Sequence, residues 1–348
     1  MRTLCPRPHC AARLTSAAIL LTGGACFIGS HIAVEVARTG YHPVILDNLC
    51  NSKASVIDRR ARIIRAPVHF IHGDIRDGVL LRRVLRDHAI TSVIHLAGLK
   101  AVGESVAMLL AYYDNNVVGT LRLTEAMNDS GVHSLVFSSS CTVYGTPQRL
   151  PLTETHPLSA VNPYGQTKLT IELMLRDLAR SDQRWHICLL RYFNPVGAHD
   201  SGLIGEDPNG IPDNLMPFVL KVAAGEFKEL GVWGGDYPTH DGTGVRDYIH
   251  VVDLAIGHLL AVERLPKMRC DAINLGTGQG SSVLDVVKAF ERVNGVRVPY
   301  ALRERRPGDV AACWADPALA LKQLGWQTRR TLDDMCRDAW TWQRAAAG

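Results

Sequence analysis

Ala18-Ile19-Leu20-Leu21-Thr22-Gly23-Gly24-Ala25-Cys26-Phe27-Ile28-Gly29 decides how this chain folds: an apolar strand runs into a glycine turn, and a helical pattern follows over residues 29–39. Such a turn aims backbone amides and a helix N-terminus at one point, where they can hold a dinucleotide's pyrophosphate. Residues 44–46 read as the second strand, and Asp47 ends it 18 residues past Gly29. A carboxylate there accepts hydrogen bonds from an adenosine ribose, and it selects NAD over NADP because a ribose phosphate would meet its negative charge.

The same alternation continues along the chain. Residues 68–71, 92–96, 135–138 and 187–190 read as strands, and 79–87, 113–128 and 163–180 as helices. Repeated strand–helix units imply an α/β fold, a Rossmann-type doubly wound parallel sheet covered on both faces. Residues 17–190 are expected to form the NAD-binding domain. Residues 191–348 are expected to form mainly a smaller C-terminal α/β substrate domain, with some crossing back to the sheet. It has Gly- and Pro-rich loops around 196–213 and 231–244 and a short helix near 252–263.

Composition fits that reading. With 348 residues, 47% hydrophobic and 21% charged, the chain can build two large cores. A net charge of +4 with interspersed signs argues against nucleic acid, and no apolar run has membrane-spanning length. Nine scattered cysteines, an odd number, suit reduced thiols in a cytoplasmic protein. Arg2, Arg7 and Arg13 ahead of Ala17 loosely imitate a signal peptide, but the apolar run belongs to the first strand, so residues 1–16 read as a basic tail. Cys5, His9 and Cys10 lack a fourth ligand, and no metal site is expected.

Chemistry enters with Tyr164-Gly165-Gln166-Thr167-Lys168 and, 24 residues before the tyrosine, Ser138-Ser139-Ser140. Asn162-Pro163 supplies an N-cap and a first helical residue, so Tyr164 sits in a first turn with Lys168 on the same face. Leu169, Leu173, Met174, Leu175 and Leu178 read as core-facing residues of that helix. A free tyrosine titrates near about 10, and a fixed ammonium favours its phenolate, which makes a base. Ser140 can hold a substrate oxygen and relay its proton.

Longer blocks in the same order resemble a known family. Gly23-x2-Cys26-x2-Gly29, residues 46–52, Gly73-Asp74-Ile75, residues 95–105, 138–145, 190–199 and 241–250 are similar to the UDP-glucose 4-epimerases, extended short-chain dehydrogenases/reductases. The resemblance runs from about residue 17 to the end. It implies reversible interconversion of UDP-glucose and UDP-galactose with tightly held NAD, in galactose metabolism, by a homodimer pairing through helices near 113–128 and 163–180.

The resemblance also implies roles. Gly23, Cys26, Phe27, Ile28 and Gly29 would form the cofactor turn. Asp47, Asn48, Leu49, Cys50, Asn51 and Ser52 would surround the adenosine, with Asp74 and Ile75 near the adenine. Leu96, Ala97, Gly98, Leu99, Lys100, Asn115 and Phe193 would complete the NAD pocket, with Ser140, Tyr164 and Lys168 at the nicotinamide. Beside the sugar would stand Ser140, Cys141, Thr142, Tyr164 and Asn194. Asn214, Leu215, Arg246 and Arg306 would hold the nucleotide, the two arginines on its diphosphate. Asp309 would face the uridine ribose, and Gly231, Val232 and Trp233 would wall the uracil.

Two departures stand out. Cys26 replaces the middle glycine of the turn, where a missing side chain lets the backbone approach the pyrophosphate; weakened but retained NAD, and a thiol acidified by the helix N-terminus, are expected there. Cys313 stands where some relatives carry a bulky tyrosine and others a small residue, which implies that UDP-N-acetylglucosamine and UDP-N-acetylgalactosamine are also accepted. A related nucleotide-sugar dehydratase would need an acidic pair where Cys141-Thr142 stand. A non-catalytic NAD sensor would not need Ser140, Tyr164, Lys168 and both arginines.

Overall fold

The computed structural model describes residues 17–347 except 211, 213 and 307, so the basic tail read over residues 1–16, with Cys5, His9 and Cys10, lies outside the described residues. Strand β1 (Ala18–Thr22) is buried from end to end, as a strand covered on both faces must be. After it come α1 (Phe27–Arg38), β2 (His42–Asp47), α2 (Ser55–Ile64), β3 (His69–His72), α3 (Gly78–Asp87) and β4 (Ile90–His95). Helix α2 is the one element of this half with no counterpart in the sequence reading.

After the separate α4 (Val102–Ala107), the helix expected over 113–128 lies within one helical run of α5 (Leu109–Tyr112), a wide π turn (Tyr113–Val118) and α6 (Gly119–Asp129). The wide turn directs the buried Asn116 inward, where its side chain bonds Leu99 and Thr167. Next are β5 (Ser134–Ser140), α7 (Pro163–Ser181) and β6 (His186–Tyr192). The Asn162 side chain accepts from the Gly165 amide at 2.8 Å, the N-cap the sequence implies.

Beyond β6 run β7 (Asn194–Val196), α8 (Leu215–Ala223), β8 (Leu230–Trp233), β9 (Val245–Arg246), β10 (Tyr248–His250) and α9 (Val251–Arg264). They are followed by β11 (Cys270–Leu275), β12 (Ser281–Ser282), α10 (Val283–Asn294), β13 (Tyr300–Arg303), β14 (Ala312–Cys313), α11 (Ala318–Leu324) and α12 (Leu332–Ala347). Helix α9 matches the helix expected near 252–263 to within one residue at each end. It packs on α1, and β11 joins the main sheet beside β6.

The main sheet is parallel, in the order β11-β6-β5-β4-β1-β2-β3. One apolar cluster fills the face under α1 and α9, and a second fills the face under α3, α6 and α7. A third, around Phe290, Met335 and Val219, holds α8, α10 and α12 together with β8. Because β1, β4, β5 and β6 all point the same way, their C-terminal ends gather at one edge, the crevice where ligands bind in open α/β sheets.

Candidate functional site

The glycine turn after β1 is built for contact without side chains. Gly23 has φ +69°, and a Cβ there would lie 2.6 Å from the Ala97 amide nitrogen; a Cβ on Gly29 would lie 2.5 Å from the Gly23 carbonyl oxygen. Cys26 is different. Its φ is −75°, so its backbone does not require glycine, and its thiol folds back to donate to the Gly23 carbonyl at 2.7 Å. Burial pushes that thiol's pKa up, the reverse of the acidic cysteine expected at a helix N-terminus. The first-turn amides of α1 have no acceptor within the helix and face the crevice, which suits a pyrophosphate.

Asp47 is buried at the end of β2 and ties the turn to its strand. Its carboxylate accepts from the Ala25 amide at 2.9 Å, the Leu49 amide at 2.8 Å and the Ser52 hydroxyl at 3.0 Å. Asn48 donates to Asp74 at 3.1 Å, and Arg76 holds both Asp74 oxygens; its hydrogen bonds carry the Asp74 pKa down to about 2. Ile75 is buried in the core beneath this loop, against Gly119. These contacts order the 47–52 loop, with Leu49 in the left-handed region at φ 59°.

Sequence reasoning missed Arg60 of α2. It is fully buried, donates to the Gly24 carbonyl at 2.8 Å and leaves Nε and Nη2 without partners; burial lowers its pKa to about 10. It also missed Asn116, neighbour of the expected Asn115. Asn116 Oδ1 accepts from the Leu99 amide at 2.8 Å and from Asn115 at 2.9 Å, clamping the 96–100 loop to α7 through Thr167 at 3.1 Å. Below that loop, neutral His95 bridges Thr22 at 2.7 Å and Thr120 at 2.9 Å, burial having lowered its pKa to about 3.

Ser140, Tyr164 and Lys168 come together at the ends of β5 and α7. The Ser140 hydroxyl stands near enough to the Tyr164 phenol to lower its pKa, and Ser140 Oγ accepts from the Thr142 amide at 3.2 Å. Lys168 Nζ donates to the Ser138 carbonyl at 2.7 Å, 4.8 Å from the Phe137 ring centre and 6.0 Å from that of Tyr164. The acidified phenol expected from the Tyr–Lys spacing does not arise from these residues alone. Burial outweighs the nearby Ser140 hydroxyl and pushes Tyr164 up to about 12, while burial brings Lys168 down to about 8. Thr142 Oγ1 is buried beside them with no protein partner, a hydroxyl positioned for a ligand.

Behind the corner lies a buried ion pair that sequence reasoning also missed. Glu172, four residues after Lys168 on α7, receives Arg191 through Nε at 2.8 Å and through Nη2, and Ser139 at 2.6 Å. Arg191 reaches the Tyr144 hydroxyl at 3.1 Å, and that hydroxyl donates to Asn274 at 2.6 Å. The signal was present: an acid one turn past the lysine, and an arginine inside the 190–199 block.

The residues read for the nucleotide sit on partly exposed loops and short strands of the C-terminal half. Arg246 Nη2 is 4.0 Å from Asp309, Arg306 Nε is 3.5 Å from the same carboxylate, and the Arg306 guanidinium sits 5.4 Å from the Trp233 ring centre. Val232 does not join the wall with its side chain: strand alternation buries it in the third core and leaves Gly231 and Trp233 on the open side. Asn214 is exposed at the start of α8 and bonds Glu206 at 2.8 Å, which lies 3.6 Å from Lys100. Leu215 is half-buried beside Asn214. Asn194 begins β7, half-buried, its amide donating to the Asp247 carbonyl at 3.0 Å, with Phe193 buried before it. Cys141 packs against the small apolar cluster that holds Cys313, near enough for each thiol to shift the other's titration.

A family model described as GDP-mannose 4,6 dehydratase matches residues 20–339. The chain is 58% identical over 327 residues to a UDP-glucose 4-epimerase of Bacillus subtilis, covering 94% of this chain and 96% of that one. It is 54% identical to that of Dictyostelium discoideum, covering 93% and 95%. It is also similar to the crystal structure of a Stenotrophomonas maltophila UDP-glucose 4-epimerase with bound NAD and formylated UDP-arabinopyranose, at TM-score 0.94 and 53% identity over 95% of this chain and 99% of that one. The Bifidobacterium longum enzyme in complex with NAD+ and UDP matches at TM-score 0.92 and 52% identity, over 95% and 99%.

Proposed function

Because the chain belongs to the UDP-glucose 4-epimerase family, we propose that Tyr164, Ser140 and Lys168 carry out its chemistry at the sugar C4. The protein is an isomerase that interconverts UDP-glucose and UDP-galactose through a bound 4-keto sugar, and its cofactor is NAD. NAD, when bound, supplies the hydride acceptor and donor for C4 and, oxidised, a positive charge that draws the buried Tyr164 phenol toward phenolate. Tyr164 takes the 4-hydroxyl proton, directly or through Ser140, and returns it to the other face after the keto sugar turns.

Lys168, bonded to the Ser138 carbonyl, stands where it can bind ribose hydroxyls. The glycine turn, the Asp47 loop and the 96–100 loop with Phe193 hold the cofactor. Arg246 and Arg306 grip the diphosphate, and Asn194, Asn214, Leu215, Gly231, Trp233 and Asp309 complete the nucleotide-sugar side. Residues 17–190 thus serve mainly NAD and 191–348 mainly substrate. Water elimination, the reaction in the family model's name, needs an acidic pair where Cys141-Thr142 stand.

Small Cys313 at the sugar supports acceptance of N-acetylated UDP-sugars. A homodimer is supported by the apolar face left open on α5, α6 and α7: Leu110 is 82% and Leu173 53% exposed, so Leu173 is not the core residue its spacing suggested. A cytoplasmic site is supported by the free thiols of the described cysteines. No described helix is long and apolar enough to cross a membrane.

The observation that carries the mechanism is the gathering of Ser140 and Tyr164 at one corner beside buried Lys168. A coupled assay for UDP-glucose formed from UDP-galactose, with NAD measured after denaturing the purified protein, tests it. Turnover with bound NAD is expected; bound NAD without turnover would overturn the assigned chemistry. Sedimentation tests the dimer, and UDP-N-acetylgalactosamine as substrate tests the role of Cys313.

A further inference from the structure

Two cysteines that are far apart in sequence meet beside Ser140. Cys141 follows β5 directly and opens the short turn Cys141–Tyr144, half-buried on the crevice side. Cys313 ends β14, 7% exposed, in register with Arg246 of β9, and its carbonyl accepts from the Asp247 amide at 3.1 Å. Cys313 lies in one small cluster with Val143, Tyr144, Leu152 and Phe193, and Cys141 packs against that cluster. Both thiols are free, packed in the same small cluster and near enough for each to shift the other's titration, with Arg246 close enough to act on each.

We propose that Cys141 and Cys313 form a reversible disulfide across the sugar subsite, making it a modification site for peroxides and other two-electron thiol oxidants. The contact supplies the two requirements of such a site, a nucleophilic sulfur and a resolving thiol beside it. The neighbouring Cys141 thiol, with Arg246 adding to it, lowers the Cys313 pKa, whereas Cys313 and burial raise that of Cys141. Of the two thiols, Cys313 is the more readily deprotonated.

With hydrogen peroxide as oxidant, the Cys313 sulfur attacks one peroxide oxygen and breaks the O–O bond. Hydroxide leaves and is protonated to water, and Cys313 becomes a sulfenic acid. The Cys141 sulfur then attacks the Cys313 sulfur; its proton and the sulfenic hydroxyl depart as a second water. Two thiols lose two electrons in total and the peroxide gains them.

The link ties β14 to the turn that follows Ser140. Its effect on turnover rests on the proposed placement of the sugar between Ser140 and Cys313, so oxidation closes the sugar side while leaving the NAD cradle intact.

Reduced full-length protein is treated with hydrogen peroxide, and then with diamide, each with and without UDP-glucose. Peptides are mapped by mass without reduction, free thiols are counted after denaturation, and UDP-galactose turnover is followed before and after dithiothreitol. The expected result is a Cys141–Cys313 linked peptide, loss of two thiols from nine and turnover below about a tenth of the reduced value, restored by the reductant and slowed by UDP-glucose. Each scored against its own reduced rate, Cys313→Ala loses the reversible component, and Cys141→Ala, which stops at the sulfenic acid, loses the linked peptide. Inactivation without the linked peptide, or of equal extent in Cys141→Ala, overturns the dithiol. The linked peptide with unchanged turnover overturns the closure, and with it the sugar placement, while leaving the disulfide chemistry standing.

Discussion

The corner proposed for the reaction and the mouth proposed for the nucleotide are built on opposite terms. At the corner, Lys168 and Ser140 are buried on a helix and a strand and backed by the Glu172–Arg191 pair, itself out of solvent. At the mouth, Arg246, Arg306 and Asp309 keep part of their side chains in water and meet at 3.5–4.0 Å on loops and short strands. Buried charges must be fully partnered or they cost several kcal/mol, so the corner has one geometry. Exposed pairs contribute little when a ligand replaces them, so the mouth can exchange its internal contact for a diphosphate. Chemistry that needs a proton and a hydride aligned suits the first kind of site, and binding and release suit the second.

The contrast breaks first at its most demanding point. Tyr164→Phe is expected to lower kcat about a hundredfold to ten-thousandfold with NAD content unchanged; near-normal kcat with UDP-galactose would place the base elsewhere. Glu172→Gln removes the charge that neutralises buried Arg191 and is expected to cost about 3–5 kcal/mol of stability, read from denaturant midpoints at constant slope. A loss within the range of an exposed pair would mean that the network relaxes.

At the mouth, Arg246→Ala is expected to raise KM for UDP-galactose about tenfold to a hundredfold with stability nearly unchanged, because a charge-assisted hydrogen bond to the ligand is worth about 1.5–3 kcal/mol. Arg306→Ala, more exposed and held by Trp233, should show the smaller rise. The smallest effect expected is a pH dependence.

Burial holds Lys168 near 8, below its free value of 10.5, so the ammonium is present below about pH 8 and lost above it. Turnover per bound cofactor is expected to fall as pH rises through that point. The stability term has the opposite sign: the depressed pKa contributes stability above the unfolded value, and that contribution is gone once pH falls below about 8. A profile of kcat/KM between pH 7 and 10 that stays flat would show that the charge on Lys168 is dispensable.

Most of the sheet was legible because buried parallel strands are continuous apolar runs. Residues 18–21 and 187–190 fall within β1 and β6, whose sequence needs no partner to be recognised. Helix α2 was not legible: its charged Asp58-Arg59-Arg60-Ala61-Arg62 stretch looks solvated, and only the fold turns Arg60 inward to the Gly24 carbonyl. The wide turn at Tyr113–Val118 was hidden for a related reason, since it widens the helix where the Asn116 side chain satisfies the 96–100 loop, a partner distant in sequence.

The glycine turn, the Asp47 that follows it, the Tyr–Lys spacing and the order of the long blocks were determined by the sequence, because each depends on residues close along the chain or on their order. Tertiary structure decided the protonation of the corner, the fold-back of the Cys26 thiol, the burial of Val232, the exposure of Leu173 and the meeting of Cys141 with Cys313. Those depend on how much water each group loses and on which distant atoms replace it, quantities that local spacing does not carry.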